Sequence, residues 1–248
     1  QLLAGARSAV TLGSTAVADG QSRRALVLLD QALPRAWQFE NEQSEGGLVQ
    51  HLEDYVTNRR GLATHDIARP YVSLKTKRFV VLAGLTGSGK TTIARLFAEA
   101  LGATASNGRF VRVAVRPNWV DESEVLGYVN PITRRFEPGW LAGVIRLCER
   151  TPDLPVFCLL DEMNLAPVEF YLADYLSALE EATAGADTTI SLYSSASSVD
   201  NSEEWPPTLV FPENLFLIGT VNVDESTRAL SDRVLDRGKV IQLPVTVN

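Results

Sequence analysis

Gly84-Leu85-Thr86-Gly87-Ser88-Gly89-Lys90-Thr91 fits the pattern G-x-x-x-x-G-K-[ST], and the residues on both sides suit it. Upstream, Arg78-Phe79-Val80-Val81-Leu82-Ala83 is a short apolar, β-branched run of the kind that forms a buried parallel strand. Downstream, Thr92 to Leu101 has helical apolar spacing, and Gly102 is placed to stop it. Strand, glycine loop and helix together turn backbone N–H groups and a helix N-terminus toward a polyphosphate. The spacing assigns phosphate contacts to Gly84, Thr86, Gly87, Ser88, Gly89, Lys90, Thr91 and Thr92. Lys90 would reach the β- and γ-phosphates, and the Thr91 hydroxyl would hold Mg²⁺.

A second motif points the same way. Val156-Phe157-Cys158-Leu159-Leu160 runs straight into Asp161-Glu162, so an apolar strand delivers two acids at its C-terminal end. Open α/β sheets bind ligands at that edge, which brings both carboxylates beside the glycine loop. Asp161 is expected to complete the Mg²⁺ shell, directly or through water, and Glu162 to polarise an attacking water. Leu215 to Asn222 is another buried strand, ending in an amide that can hold the water or a γ-phosphate oxygen without adding charge. Leu230-Ser231-Asp232-Arg233-Val234-Leu235-Asp236-Arg237 reads as a helix whose arginine could reach a neighbouring subunit's γ-phosphate. Arg237 is the first choice for that role and Arg233 the second.

The 248-residue chain is 45% hydrophobic and 21% charged, which is ordinary for a globular protein with one good core. No apolar stretch is long enough to span a membrane, and no secretory leader opens the sequence, so a cytoplasmic location is expected. A net charge of −7 argues against general coating of nucleic acid. Cys148 and Cys158 form no metal or redox spacing, and Cys158 reads as a buried small hydrophobe. Residues 1–70 read as an ancillary helical segment, with helices over Ser22 to Leu33 and Leu48 to Val56. From Arg78 onward strand and helix alternate, the signature of a parallel α/β domain that is assigned residues 71–248. Further strands are expected at Phe110 to Val115 and Lys239 to Leu243, and a hairpin at Tyr128 to Phe136, with Asp121 capping a short helix before it. Helices are expected over Trp140 to Arg150, Pro167 to Glu181 and Thr227 to Leu235. The polar run Ala182 to Pro207 reads as a mobile excursion with strand pairing near Thr189 to Tyr193.

Taken together, these residues resemble the AAA+ family, and within it the McrB-like motors of modification-dependent restriction systems. The likeness covers roughly Tyr71 to Leu243. It is carried by the lead-in Ser73 to Gly84, by Val115-Arg116-Pro117-Asn118-Trp119 with Leu126-Gly127-Tyr128, and by Leu160 to Ala166. Gly219 to Glu225 and the Val234-Leu235-Asp236-Arg237 ending complete it. The resemblance implies a P-loop NTPase core: a five-stranded parallel sheet flanked by helices, with hairpin inserts. It further implies a ring, typically a hexamer, that hydrolyses ATP or GTP with Mg²⁺ at subunit interfaces. A separate nuclease subunit and DNA contacts through other domains follow from the same likeness. The sequence ends soon after the fifth strand, so the helical lid of many AAA+ proteins is not expected here. A nucleotide-gated scaffold or remodeller of the dynein and midasin group is the alternative that the resemblance leaves open. The residues do not choose between ATP and GTP.

Overall fold

A computed structural model describes residues 45–60, 67–196, 199–223 and 229–243. The helix expected over Ser22 to Leu33 lies outside them. The chain builds a five-stranded, all-parallel sheet from β1 (Phe79–Gly84), β2 (Phe110–Ala114), β5 (Val156–Asp161), β8 (Leu215–Asn222) and β9 (Lys239–Gln242). Their order across the sheet is β2-β5-β8-β1-β9. The three central strands β5, β8 and β1 are buried along almost their whole length, which is why they read as unbroken apolar runs rather than alternating ones.

Alternate residues of those strands feed two separate cores. Val80, Leu82, Phe157, Leu159, Phe216 and Ile218 pack under α1 (Glu45–Arg60), α2 (Ala68–Lys77) and α3 (Lys90–Ala100). Phe79, Val81, Cys158, Leu160, Leu215 and Leu217 face α4 (Trp140–Arg150), α5 (Val168–Tyr171), α6 (Ala173–Thr183) and α7 (Asp232–Arg237). Each such side chain contributes about 1.5–3 kcal/mol of burial, so a helix layer on both faces is what lets the sheet exist in water. Cys148 and Cys158 are free, buried members of one core, and burial pushes both thiols well up from their ordinary value.

The ends of the five strands of this sheet fall within a residue of the sequence reading, because apolar β-branched runs bounded by turn residues leave little freedom. The expected hairpin, by contrast, ends two residues later, at Pro138, and the strand expected to Tyr193 stops at Ser191. Several elements differ. Arg78 is not in β1; it closes α2 in a left-handed conformation, and α2 itself was not anticipated as a helix. The long helix expected from Pro167 is broken at Leu172 into α5 and α6. The last helix begins at Asp232, later than Thr227, which lies outside the described residues. The hairpin forms as β3 (Gly127–Asn130) and β4 (Arg135–Pro138), preceded by a single 3₁₀ turn that Asp121 caps by accepting from the Ser123 N–H at 2.9 Å.

The polar excursion is tied down rather than loose. It contains β6 (Thr189–Ser191), which pairs with β7 (Thr208–Val210). The Asn201 amide clamps the backbone of Phe136 in β4, accepting at 2.7 Å and donating at 3.0 Å, and Phe136 sits against Tyr193 and Trp205. Polar composition concealed these anchors, because a few aromatics and one amide carry them. Among the described residues no helix is long and apolar enough to cross a membrane.

Leu48, Val49, Leu52 and Val56 place α1 in the same core as the α3 helix and the sheet. Leu52→Ala should therefore cost about 2–5 kcal/mol of global stability in chemical denaturation. An unchanged midpoint would show that α1 is not part of this core.

Candidate functional site

Parallel register decides which residues meet. Gly84 at the end of β1 pairs with Asn222 at the end of β8, and Leu160 of β5 pairs with Gly219 of β8. The C-terminal ends of the three central strands therefore bring the glycine loop, Asp161-Glu162 and Asn222 to one edge, as the sequence predicts.

The loop turns through Gly87 (φ 80°) and Gly89 (φ 81°), two left-handed positions that a side chain would strain. Gly89 caps α3, whose first turn carries no acidic residue, leaving its positive end for an anion. Lys90 opens that helix and is buried; its ammonium donates to the carbonyls of Gly84 at 2.9 Å and Leu85 at 2.8 Å. It is thus folded back over the loop. Thr86 and Ser88 sit on the loop, and Thr91 and Thr92 in the first turn of α3.

Asp161 is gripped from three sides. Its Oδ1 accepts from the Thr91 hydroxyl at 2.8 Å and from the Thr220 hydroxyl at 2.8 Å. Its Oδ2 accepts from Arg112 Nε at 3.0 Å and also from Arg112 Nη2. Burial alone would push this carboxyl up. The bonds from Thr91, Arg112 and Thr220, with the Arg112 charge, outweigh burial and hold it below the ordinary carboxylate value.

Glu162 follows in a left-handed conformation (φ 54°, ψ 48°), which costs a non-glycine residue about 1–3 kcal/mol. Its surroundings enforce that geometry. The Glu162 N–H donates to Thr220 Oγ1 at 2.9 Å, and the Tyr171 hydroxyl donates to the Met163 carbonyl at 2.9 Å. Met163 packs directly over Gly219, where an added Cβ would collide with its sulfur. The outcome is a Glu162 carboxylate turned toward Asn222, whose Nδ2 donates to Oε1 at 3.2 Å. Chemically, a carboxylate and an amide so placed can bind a water between them and accept its proton.

Arg237 and Arg233 lie elsewhere. Arg237 donates to the Leu176 carbonyl at 3.2 Å and to the Arg233 carbonyl at 3.0 Å, and pairs with Glu180. Arg233 donates to the Ser177 hydroxyl at 3.1 Å. Both arginines are therefore docked on α6, and among the described residues neither bonds to the loop or to the acidic pair.

No family model matches this sequence, and no curated protein matches it either. A solved structure of PCH-2 from C. elegans is similar over 87% of this chain and 46% of its own, at 15% identity and a TM-score of 0.39. This chain thus spans less than half the length of that one.

Sequence reasoning missed Thr220, Arg112 and Gly219. Thr220 bridges Asp161 and Glu162, but a threonine inside an apolar strand carries no signal until the register is known. Arg112 sits in an ordinary strand, and Gly219 matters only because Met163 approaches it. Among the described residues no three His, Cys, Asp or Glu side chains converge to hold a metal by themselves. The Thr91 hydroxyl and Asp161 carboxylate are hard oxygen donors in hydrogen-bond contact, a set that suits Mg²⁺ carried in with phosphates rather than a metal caged by protein.

Thr220→Val tests the grip on Asp161. The folded carboxyl titrates below its unfolded value of about 3.9, so its contribution to stability is present above that pH and fades as pH falls through the folded value. Removing one hydroxyl should raise the Asp161 pKa in a carboxyl NMR titration and move the acid limb of unfolding to higher pH. An unmoved titration would mean that Thr220 does not hold Asp161.

Proposed function

We propose that this chain is the core of an Mg²⁺-dependent nucleoside triphosphatase that works as an oligomeric ring. The observation that carries the reading is the 2.8 Å bond from Thr91 on the phosphate loop to Asp161 on the acidic strand. That contact joins the two halves of a triphosphate site. Glu162 and Asn222 stand together beside it, 3.2 Å apart.

In this reading the triphosphate displaces the Lys90 ammonium from the Gly84 and Leu85 carbonyls, and the lysine then bonds phosphate oxygens. The loop N–H groups and the α3 terminus hold the remaining negative charge. Mg²⁺, when bound by Thr91 and Asp161, supplies neutralisation of charge on the β- and γ-phosphates. Asn222 orients a water in line with the γ-phosphorus, and Glu162 takes its proton as the new P–O bond forms. The bond to the β-phosphate oxygen breaks, and the nucleoside diphosphate leaves. Arg237 is assigned to the neighbouring subunit's γ-phosphate, which requires it to leave Glu180 for the subunit interface. ATP and GTP both fit this chemistry. The McrB-like resemblance supports a role in powering a nuclease subunit on DNA reached through other domains. Under the same reading residues 71–248 are the nucleotide-binding core and residues 1–70 an appended helical segment.

Two variants test both halves of the mechanism. Glu162→Gln should retain nucleotide binding and lose at least about 100-fold in turnover. Arg237→Ala should also be inactive, while its own phosphate site stays intact. Mixing the two should restore turnover, because the Arg237 of one variant then serves the intact site of the other. Normal turnover by Glu162→Gln would remove it as the base, and a mixture that stays inactive would remove Arg237 as a group supplied in trans.

A further inference from the structure

The most consequential contact that the proposed reaction leaves unused is the one between Arg112 and Asp161. Arg112 stands on β2, the edge strand beside β5, where it lies opposite Leu159, while Ala114 lies opposite Asp161. Arg112 is thus diagonal to Asp161 on the same face of the sheet, a separation that a long side chain can span. The small Ala114 leaves room for the guanidinium to lie across to the acid. Nε and Nη2 then both bond Oδ2, while Oδ1 is occupied by the hydroxyls of Thr91 and Thr220.

The two partners differ sharply in freedom. The Asp161 side chain is 12% exposed and held by fixed elements, whereas that of Arg112 is 59% exposed and reaches in from the solvent side. An ion pair with one exposed partner is weak, and releasing it costs little. A guanidinium on this oxygen nevertheless places a positive charge on the group assigned to the metal, and like charges compete for one carboxylate.

We propose that Arg112 is a positioning residue that occupies Asp161 Oδ2 in the nucleotide-free site and yields it when Mg²⁺ and triphosphate enter together. Until metal arrives it neutralises Asp161 and fixes its rotamer. It also sets the Mg²⁺ concentration at which the site fills, because metal must displace it. This rests on the proposed nucleotide site and deepens it, since the guanidinium has the role of a built-in competitor for the metal.

The test is equilibrium binding of a fluorescent triphosphate analogue to the full chain at increasing Mg²⁺, with a parallel series in EDTA. Arg112→Ala and Arg112→Gln should lower the Mg²⁺ concentration for half-saturation by roughly two- to fivefold, the range an exposed ion pair supports. Binding in EDTA should not move, and the thermal unfolding midpoint should fall by no more than the loss of one exposed ion pair allows, which separates competition for metal from loss of the fold. Arg112→Lys keeps the charge but not the two-pronged contact, and should fall between. A half-saturation that is unchanged or raised in Arg112→Ala overturns the inference while leaving the nucleotide site standing. Failure of the parent chain to bind the analogue at any Mg²⁺ concentration would instead remove the nucleotide site, and this inference with it.

Discussion

The carboxylate of Asp161 is the point at which this structure closes. Thr91 reaches it from the phosphate-loop helix, Thr220 from the neighbouring strand and Arg112 from the sheet edge. A partly buried carboxylate is tolerated only where its lone pairs are filled, and here three separate segments fill them. Each segment is placed by the parallel register, and the register is secured by the apolar residues that the central strands bury on both faces. Hydrophobic burial thus holds the sheet, the sheet aligns the strand ends, and those ends assemble a polar site on one edge.

Strain is concentrated next to that point. Glu162 adopts a left-handed backbone although it has a side chain, and Thr220, Tyr171 and the bare face of Gly219 hold it there. The same geometry aims its carboxylate at Asn222. Lys90 and Arg237, by contrast, rest on acceptors from their own chain, the one on loop carbonyls and the other on α6. Under the proposed function, these are the contacts that phosphate would replace.

Much of this was legible in the sequence because it depends on local pattern. A β-branched apolar run followed by G-x-x-x-x-G-K-T fixes strand, loop and helix. Val156 to Glu162 likewise announces a buried strand that ends in two acids. Residues whose importance depends on register were not legible. Thr220 looks like any strand threonine, Arg112 like a solvated edge residue, and Gly219 like a tolerated glycine, until Met163 and Asp161 are brought against them. The α2 helix was hidden by its mixed composition. Its Pro70 lies near the start, where proline suits a helix, but Ser73, Lys75, Thr76 and Lys77 gave no apolar stripe to read. The Asn201 clamp escaped for a similar reason, since one amide within a polar run carries no periodicity.

The most direct test of the account is calorimetric titration of the chain with ATP and, separately, GTP in the presence of Mg²⁺, with Lys90→Ala as the comparison. The account predicts saturable one-to-one binding of at least one triphosphate, weakened strongly in Lys90→Ala. A folded parent chain that binds neither, or a Lys90→Ala protein that binds as tightly as the parent, would contradict it.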